Sequence, residues 1–204
     1  MAMGEEKQIS TMKPRLSLAD CLRSIRKECG MTLAELASRT GIPRTTLSKV
    51  ENGKASLTYE KLVQVGDGLG VDIARLFDPQ THDQGAPHII NARRRAVTRL
   101  DEAASVDSDN YTNFYLSLDL LKRRANPIMS VVKAKTIEEF GEWVRHEGEE
   151  FAIVIEGEVE FSCEDYAPVV LKQGDSVYFD SAMGHAYLAA SDSPCRILSV
   201  CIRD

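Results

Sequence analysis

The stretch from Thr32 to Gly53 constrains this chain more than any other, because two short amphipathic segments there flank a single glycine. Thr32 is followed three residues later by Glu35, a capping-box pair that marks the start of a helix. Gly41 breaks that helix, since a turn here requires a residue that tolerates positive φ. Pro43 stands where a second helix can begin, because the first helical position needs no N–H. The spacing therefore predicts two short helices joined by a tight turn.

The second of these helices is predicted to have one inward and one outward face. Leu47 and Val50 lie three residues apart and face inward, so cations and small hydrogen-bonding side chains occupy the opposite face. Such a face can enter the DNA major groove and reach base edges and phosphates. An ordinary helical hairpin with a solvated polar face is the alternative. The candidate DNA-contacting residues are Thr32, Arg44, Thr45, Ser48, Lys49, Asn52 and Lys54.

The segment TLAELASRTGIPRTTLSKVENG resembles the Cro/repressor-like helix-turn-helix of the XRE family of transcriptional regulators. Its end, LSKVENGK, matches the end of that family's recognition helix closely. The resemblance covers residues 15–78 and implies a five-helix DNA-binding bundle. It also implies double-stranded DNA as a partner, with a homodimer reading two halves of an inverted-repeat operator.

The charge of the chain is divided between its two ends. The net charge is −6, yet residues 12–56 carry nine Lys and Arg against four Asp and Glu. Residues 81–204 carry thirteen Lys and Arg against twenty-one Asp and Glu. A basic head on an acidic body can still bind phosphates through its head. No apolar run approaches the roughly 20 residues of a membrane span, and the first residues lack a signal-peptide core, so we expect a cytoplasmic protein.

The remainder of the chain has the composition of strands. We expect a flexible N-terminus at 1–14 and a linker at 79–87, where Gly, Pro and Asp are frequent. From Phe114 to Leu120 apolar residues alternate with mostly polar ones, which is a strand signature. Further short strand-like runs with glycine-containing turns predict a sandwich or barrel. The predicted fold class is α + β with two domains: a helical bundle at 15–78 and an all-β domain at 88–204.

Two segments of the β domain, HEGEEFAIVIEGEV at 146–159 and GDSVYFDSAMGH at 174–185, resemble the two motifs of the cupin fold. That fold is a small double-sheet jelly-roll barrel. In metal-binding cupins, two histidines and a glutamate of the first motif join a histidine of the second. The resemblance places His146, Glu150 and His185 at such positions, while Val144 stands where the first histidine would be. It implies a site for Fe, Zn or Ni, or else a pocket that has lost its metal and binds an organic ligand.

The sequence favours a DNA-binding transcriptional regulator whose cupin domain senses a small-molecule effector. The alternative is a mononuclear iron cupin oxygenase of the phosphonate epoxidase type with a structural helix-turn-helix domain. A cupin isomerase or storage protein is a third possibility. The cations Arg44, Lys49 and Lys54 favour the regulator, because an enzyme has no need of them, and no catalytic residue is assigned. Aromatic candidates to line the cupin cavity, each also suited to an ordinary core, are Trp143, Phe151, Tyr178 and Tyr187.

Overall fold

The computed structural model describes residues 17–79 and 94–203. The predicted flexible terminus at 1–14 and nearly all of the predicted linker lie outside these ranges. The first range is helical. Its helices are α1 (Leu18–Glu28), α2 (Leu33–Thr40), α3 (Arg44–Glu51) and α4 (Tyr59–Leu69), followed by a 3₁₀ helix at Ile73–Leu76. The predicted fifth helix is thus a short 3₁₀ segment rather than an α-helix, because it ends after four residues at the cap Phe77.

The helices begin and end where their capping chemistry requires. The Thr32 hydroxyl accepts a hydrogen bond from the Glu35 N–H, and the Glu35 carboxylate accepts one from the Thr32 N–H, so the predicted capping box is confirmed. Gly41 ends α2 in the left-handed conformation at φ 71°. Residue Pro43 is the N-cap of α3, which begins at the next residue. These local signals set the orientation of α3 relative to α2.

The second range forms two antiparallel sheets. Their strands are β1 (Ala104–Asp107), β2 (Tyr111–Tyr115), β3 (Ala125–Val132), β4 (Glu149–Glu156), β5 (Glu158–Cys163), β6 (Tyr166–Lys172), β7 (Ser176–Asp180), β8 (His185–Ala189) and β9 (Cys195–Ile202). The larger sheet has the order β1-β2-β3-β9-β4-β7 and the smaller β6-β5-β8. Buried apolar side chains from both sheets pack together, among them Val154, Phe161 and Ile197. The predicted α + β class is confirmed, and the second part is built of β-sheets with one short α-helix, α5 (Ile137–Phe140), between β3 and β4.

One predicted strand is too long. The alternation from Phe114 to Leu120 predicts a strand throughout, but β2 ends at Tyr115. Ser117 has φ 57°, which an extended strand does not allow. Leu118 nevertheless packs against buried residues, so its apolar character serves a loop contact rather than a strand face. Among the described residues, none belongs to a helix with the length and apolar character needed to cross a bilayer.

The helical region and the larger sheet share one hydrophobic core. Tyr59 of α4 belongs to the same buried cluster as Val106 and Ile128 of the sheet. The rings of Phe77 and Tyr115 lie 4.9 Å apart between centroids. We therefore refer to residues 17–79 as the head and residues 94–203 as the body, which pack directly on each other. The exact domain limits stay predictions.

Candidate functional site

The structure presents most of the predicted DNA-contacting residues on one exposed surface. Arg44, Thr45, Lys49 and Lys54 are exposed, and Ser48 is half-buried. The opposite face of α3 is buried through Leu47 and Val50. Two further candidates are exposed but already use their side chains within the head. Thr32 caps α2, and Asn52 donates from Nδ2 to the Ser48 carbonyl oxygen, 2.7 Å away, while its Oδ1 accepts from Arg23 at 3.0 Å.

A buried ion pair holds the end of α3 against α1, and the sequence interpretation missed it. Glu51 is 4% exposed, and its two carboxylate oxygens accept from Nε and Nη2 of Arg26 at 2.6 and 2.8 Å. Arg26 also donates from Nη1 to the Met31 carbonyl oxygen at 2.7 Å. The hydrogen bond to Glu51 raises the pKa of Arg26 above its usual value. Arg26 is therefore a structural residue of the head and is not available as a phosphate contact.

A cavity of about 70 Å³ lies inside the body and reaches the head. Its walls come from the inner face of the larger sheet, with Asn113, Ser130 and Ser199 supplying neutral polar groups. His185 and Tyr187 of the smaller sheet line a second side, and a third is formed by Leu57, Thr58 and Tyr59, which precede and begin α4. Ligand pockets for drug-sized molecules are about 300–1,000 Å³, so this cavity suits a ligand of few heavy atoms or an ion.

The cavity contains a group of buried titratable side chains around the Glu150 carboxylate. His146 Nε2 lies 2.9 Å from Glu150 Oε2, and the Tyr187 hydroxyl donates to Glu150 Oε1 at 2.8 Å. The Cys201 thiol donates to Glu150 Oε2 at 3.4 Å. His185 Nε2 lies 3.8 Å from the same oxygen, beyond hydrogen-bonding distance. All five side chains are at least nine-tenths buried.

Pairing between strands explains why these residues meet. Glu150 of β4 lies opposite Cys201 of β9 in the larger sheet, and side chains at opposed positions share a face. His185 begins β8 of the smaller sheet, and its backbone exchanges two hydrogen bonds with Val144. Val144, which occupies the position of the missing first-motif histidine, therefore lies directly beside the group of buried side chains around Glu150. The carboxylate projects between the two sheets.

Burial and charge set the protonation of this group. Burial opposes ionisation of Glu150, but the hydrogen bond from His146 and the two nearby histidines outweigh it and lower the pKa of the carboxyl. Burial lowers the pKa of His185. Burial and the adjacent Glu150 raise the pKa values of Tyr187 and Cys201 well above their usual ranges. Tyr187 and Cys201 therefore stay protonated and donate to an ionised Glu150.

The donor set fits a divalent metal. Nε2, carboxylate and thiol atoms of His146, Glu150 and Cys201 lie within 4.8 Å of one another. The Nδ1 of His185 lies 2.9 Å from the Met183 carbonyl oxygen, which only accepts hydrogen bonds, so Nδ1 carries a proton. A neutral imidazole fixed in this way presents a lone pair at Nε2, which is the arrangement found in metal-ligating histidines. The sequence interpretation missed Cys201, which lies far from both motifs.

Only one of the four predicted aromatic residues lines this cavity, namely Tyr187. Phe151 follows Glu150 along β4 and so points to the opposite face of the sheet. Tyr178 lies on the edge strand β7, is 57% exposed, and donates its hydroxyl to Glu149 at 2.6 Å. Trp143 packs instead with a separate cluster around Phe140. The structure thus places these three rings outside the lining of this cavity.

Comparison with known proteins gives the class of the chain. Residues 22–76 match the family described as Helix-turn-helix, and residues 134–201 match the family described as Cupin domain. The two families together define a transcriptional regulator with a C-terminal cupin domain, as the sequence motifs predict.

The chain is homologous to the HTH-type transcriptional regulator PuuR of Escherichia coli strain K12, with 24% identity over 87% of this chain and 90% of PuuR. A solved HTH_3 family transcriptional regulator from Vibrio cholerae has the same fold, with a TM-score of 0.60, 20% identity, and coverage of 92% and 95% of the two chains. Hydroxypropylphosphonic acid epoxidase from S. wedmorenis aligns with a TM-score of only 0.46 at 24% identity.

Proposed function

We propose that this protein is a sequence-specific DNA-binding regulator whose body senses a small ligand and whose head reads an operator. One observation carries the link between the two roles: the start of α4, a helix of the head, forms one side of the buried cavity of the body. A ligand in that cavity contacts residues of both domains. Occupancy can therefore act on the head without any intermediate element.

The DNA-binding part of the proposal rests on α3. Arg44 and Thr45 begin this helix, and Ser48 lies one turn further along the same face. In helix-turn-helix proteins, the N-terminal residues of the recognition helix contact base edges. Lys49 and Lys54 lie toward the far end and suit phosphate contacts. The ion pair between Arg26 and Glu51 fixes the angle at which this face is presented.

The regulatory part of the proposal rests on the segment 52–58, which joins α3 directly to Tyr59. The Tyr59 ring stands perpendicular to the His146 ring, with centroids 5.3 Å apart. Tyr59 is 6% exposed, yet its hydroxyl has no hydrogen-bond partner among the described residues. A ligand changes the DNA affinity only if it binds the two head positions unequally. Contact with Tyr59 supplies such a difference.

The experiment that tests this function is selection of DNA from a random duplex pool by the purified full chain. The double variant Arg44→Ala/Lys49→Ala is the control. We expect enrichment of an inverted repeat by the wild-type protein and none by the variant. A folded wild-type protein that enriches nothing, in the presence and absence of divalent metal, contradicts the proposal.

Two single variants are expected to distinguish a residue that contacts bases from one that contacts phosphates. Arg44→Ala should weaken binding to the selected operator by about 1–3 kcal/mol while leaving binding to random DNA nearly unchanged. Lys54→Ala should weaken both alike and reduce the slope of log affinity against log salt by about one. Fluorescence anisotropy titrations at several salt concentrations measure both effects. Equal loss of specificity in the two variants contradicts this division of roles.

We propose that a second copy of the chain covers the outer edge of the body. Strands β6 and β7 are edges of their sheets, and a groove of about 610 Å³ lies between them. Apolar side chains that line this groove are exposed, with Tyr166 at 71%, Val169 at 45% and Tyr178 at 57%. Exposed apolar groups on an edge strand favour association. A dimer also supplies the two heads that an inverted repeat requires.

Val169→Lys is expected to convert such a dimer to monomers, because it places a charge in the lining of the groove at a position that is 45% exposed and therefore tolerates the change. Sedimentation velocity of the variant beside wild-type protein measures the change. The variant Lys172→Arg, on the same strand, serves as the matched control and should sediment as wild type. A wild-type protein that is monomeric at micromolar concentration overturns this interface.

We also propose that the cavity holds one divalent metal. The two imidazoles and the carboxylate of the predicted set, His146, Glu150 and His185, all border the cavity. Iron, zinc and nickel are each compatible with nitrogen and oxygen donors of this kind. Such an ion would hold the effector site in one geometry or bind the effector directly.

A further inference from the structure

Within the proposed sensing site, we infer that Cys201 is a metal ligand, and that its thiolate takes the place of the imidazole missing at Val144. The inference rests on the proposed metal-holding cavity and names a donor outside both sequence motifs. It makes the site a mixed nitrogen, oxygen and sulfur site. A donor set that includes sulfur favours zinc, cobalt or nickel. A set of only nitrogen and oxygen donors suits iron(II).

Geometry is the first support. The Cys201 sulfur lies 3.4 Å from Glu150 Oε2, which is itself 2.9 Å from His146 Nε2. Ligand atoms of all three side chains lie within 4.8 Å of one another, a separation that one cation can bridge. Cys201 lies opposite Glu150 across the pair β4 and β9, so the strands themselves fix the two side chains on one face.

The second support is the orientation of the imidazoles. His185 is held through Nδ1 by the Met183 carbonyl oxygen, and its Nε2 faces the Glu150 carboxylate at 3.8 Å without a hydrogen bond. A lone pair directed toward an anionic oxygen is a poor arrangement unless a cation or a proton lies between them. His146 has the Glu147 carbonyl oxygen 3.4 Å from Nδ1, so its proton can reside there when Nε2 is a ligand.

The third support is a comparison with another cysteine of the same strand. Cys195 and Cys201 are both 2% exposed and both lie on β9. Within the part of the chain that the structure describes, the hydrogen-bonding contacts of the Cys195 sulfur are backbone carbonyl oxygens and a serine hydroxyl. Cys201 instead contacts the Glu150 carboxylate, which is hydrogen-bonded to His146 and lies 3.8 Å from His185 Nε2. Burial alone therefore does not explain the environment of Cys201.

Coordination of a metal ion by Cys201 releases one proton. The thiol is protonated in the metal-free site, so coordination breaks the S–H bond and forms a sulfur–metal bond. That proton leaves to solvent. The proton of His146 moves from Nε2 to Nδ1 and is not lost. Glu150 is already ionised and exchanges its hydrogen bonds from His146 and Cys201 for the cation, while Tyr187 continues to donate to its other oxygen.

The test is a titration of the full chain, stripped with a chelator and kept reduced, with Co²⁺ alone. We expect one Co²⁺ per chain, visible d–d bands of a four- or five-coordinate ion, and an ultraviolet charge-transfer band from thiolate to cobalt. In Cys201→Ser we expect loss of that band and at least about tenfold weaker binding. Cys195→Ser is the matched control and should keep both the band and the affinity.

Each other outcome decides against part of the inference. Co²⁺ binding by wild-type protein without the charge-transfer band overturns the role of Cys201 while leaving the proposed metal site standing. A band that persists in Cys201→Ser also overturns it. Failure of the wild-type protein to bind Co²⁺ or Zn²⁺ overturns the metal site itself. Absence of the band from the wild-type spectrum overturns the role of Cys201 even if the serine variant folds poorly, and the DNA selection tests the regulator independently.

Discussion

Replacing Glu51 with alanine is expected to lower the free energy of unfolding of this protein by about 3–5 kcal/mol, because the change leaves Arg26 charged and largely buried without its partner. The Arg26 side chain is 12% exposed, and both of its hydrogen bonds to Glu51 are lost. The end of α3 also loses its attachment to α1, so operator binding should fall even at temperatures where the variant remains folded. Urea denaturation followed by circular dichroism measures the first effect, and anisotropy with operator DNA the second.

Glu28→Ala is the matched control for this prediction. Glu28 pairs with Arg75 at 3.1 Å but is 52% exposed, and solvent-exposed pairs contribute at most about 1 kcal/mol. A loss in Glu51→Ala no larger than that in Glu28→Ala would show that Arg26 finds other partners and would contradict the argument. The loss of unfolding free energy in Glu51→Gln should lie between those of Glu51→Ala and Glu28→Ala, since the amide keeps one acceptor oxygen.

Truncation of the Tyr59 side chain is expected to lower the free energy of unfolding strongly, whereas removal of its hydroxyl alone should hardly change it. Tyr59→Ala should cost about 3–5 kcal/mol, because a buried aromatic ring is lost from the core that head and body share. Tyr59→Phe should leave stability unchanged or slightly raised, since the hydroxyl is buried with no partner among the described residues. The phenylalanine variant should nevertheless respond less to a ligand that bonds to that hydroxyl.

Two optical signals separate these effects. Trp143 is the only tryptophan and lies in the body, so its fluorescence follows the body, whereas helical circular dichroism follows mainly the head. The two signals should report one transition in wild-type protein and in Tyr59→Phe, and two in Tyr59→Ala. Tyr166→Ala, at a position 71% exposed, is the control and should change stability by less than about 0.5 kcal/mol. Coincident transitions in Tyr59→Ala would contradict the role of Tyr59 at the boundary.

The parts of the fold that depend on local chemistry could be predicted from the sequence. The capping pair at Thr32 and Glu35, the left-handed Gly41 and the alternating body strands each depend on neighbours a few residues away, and each is confirmed. The strand predicted through Leu120 failed for a nonlocal reason. Leu118 is apolar because a loop packs it against the core, and alternation cannot distinguish that from a strand face.

Only the site residues that lie within the two cupin motifs could be predicted from the sequence. His146, Glu150 and His185 come from the two motif segments, whereas Cys201 joins them through the pairing of β4 with β9. Pairing register depends on the whole sheet, so no local pattern places Cys201 there. Glu51 had a visible signal that was missed, since it lies four residues after Leu47, on the inward face of α3.

The shared wall of the cavity limits how this protein can be recombined with its relatives. A chimera cut in the linker would carry Leu57, Thr58 and Tyr59 away with the head and leave a foreign surface against the body. Under the proposed sensing role, the effector specificity of such a hybrid would match neither parent. We therefore expect a body exchanged between such proteins to keep its ligand specificity only when Leu57, Thr58 and Tyr59 are transferred with it.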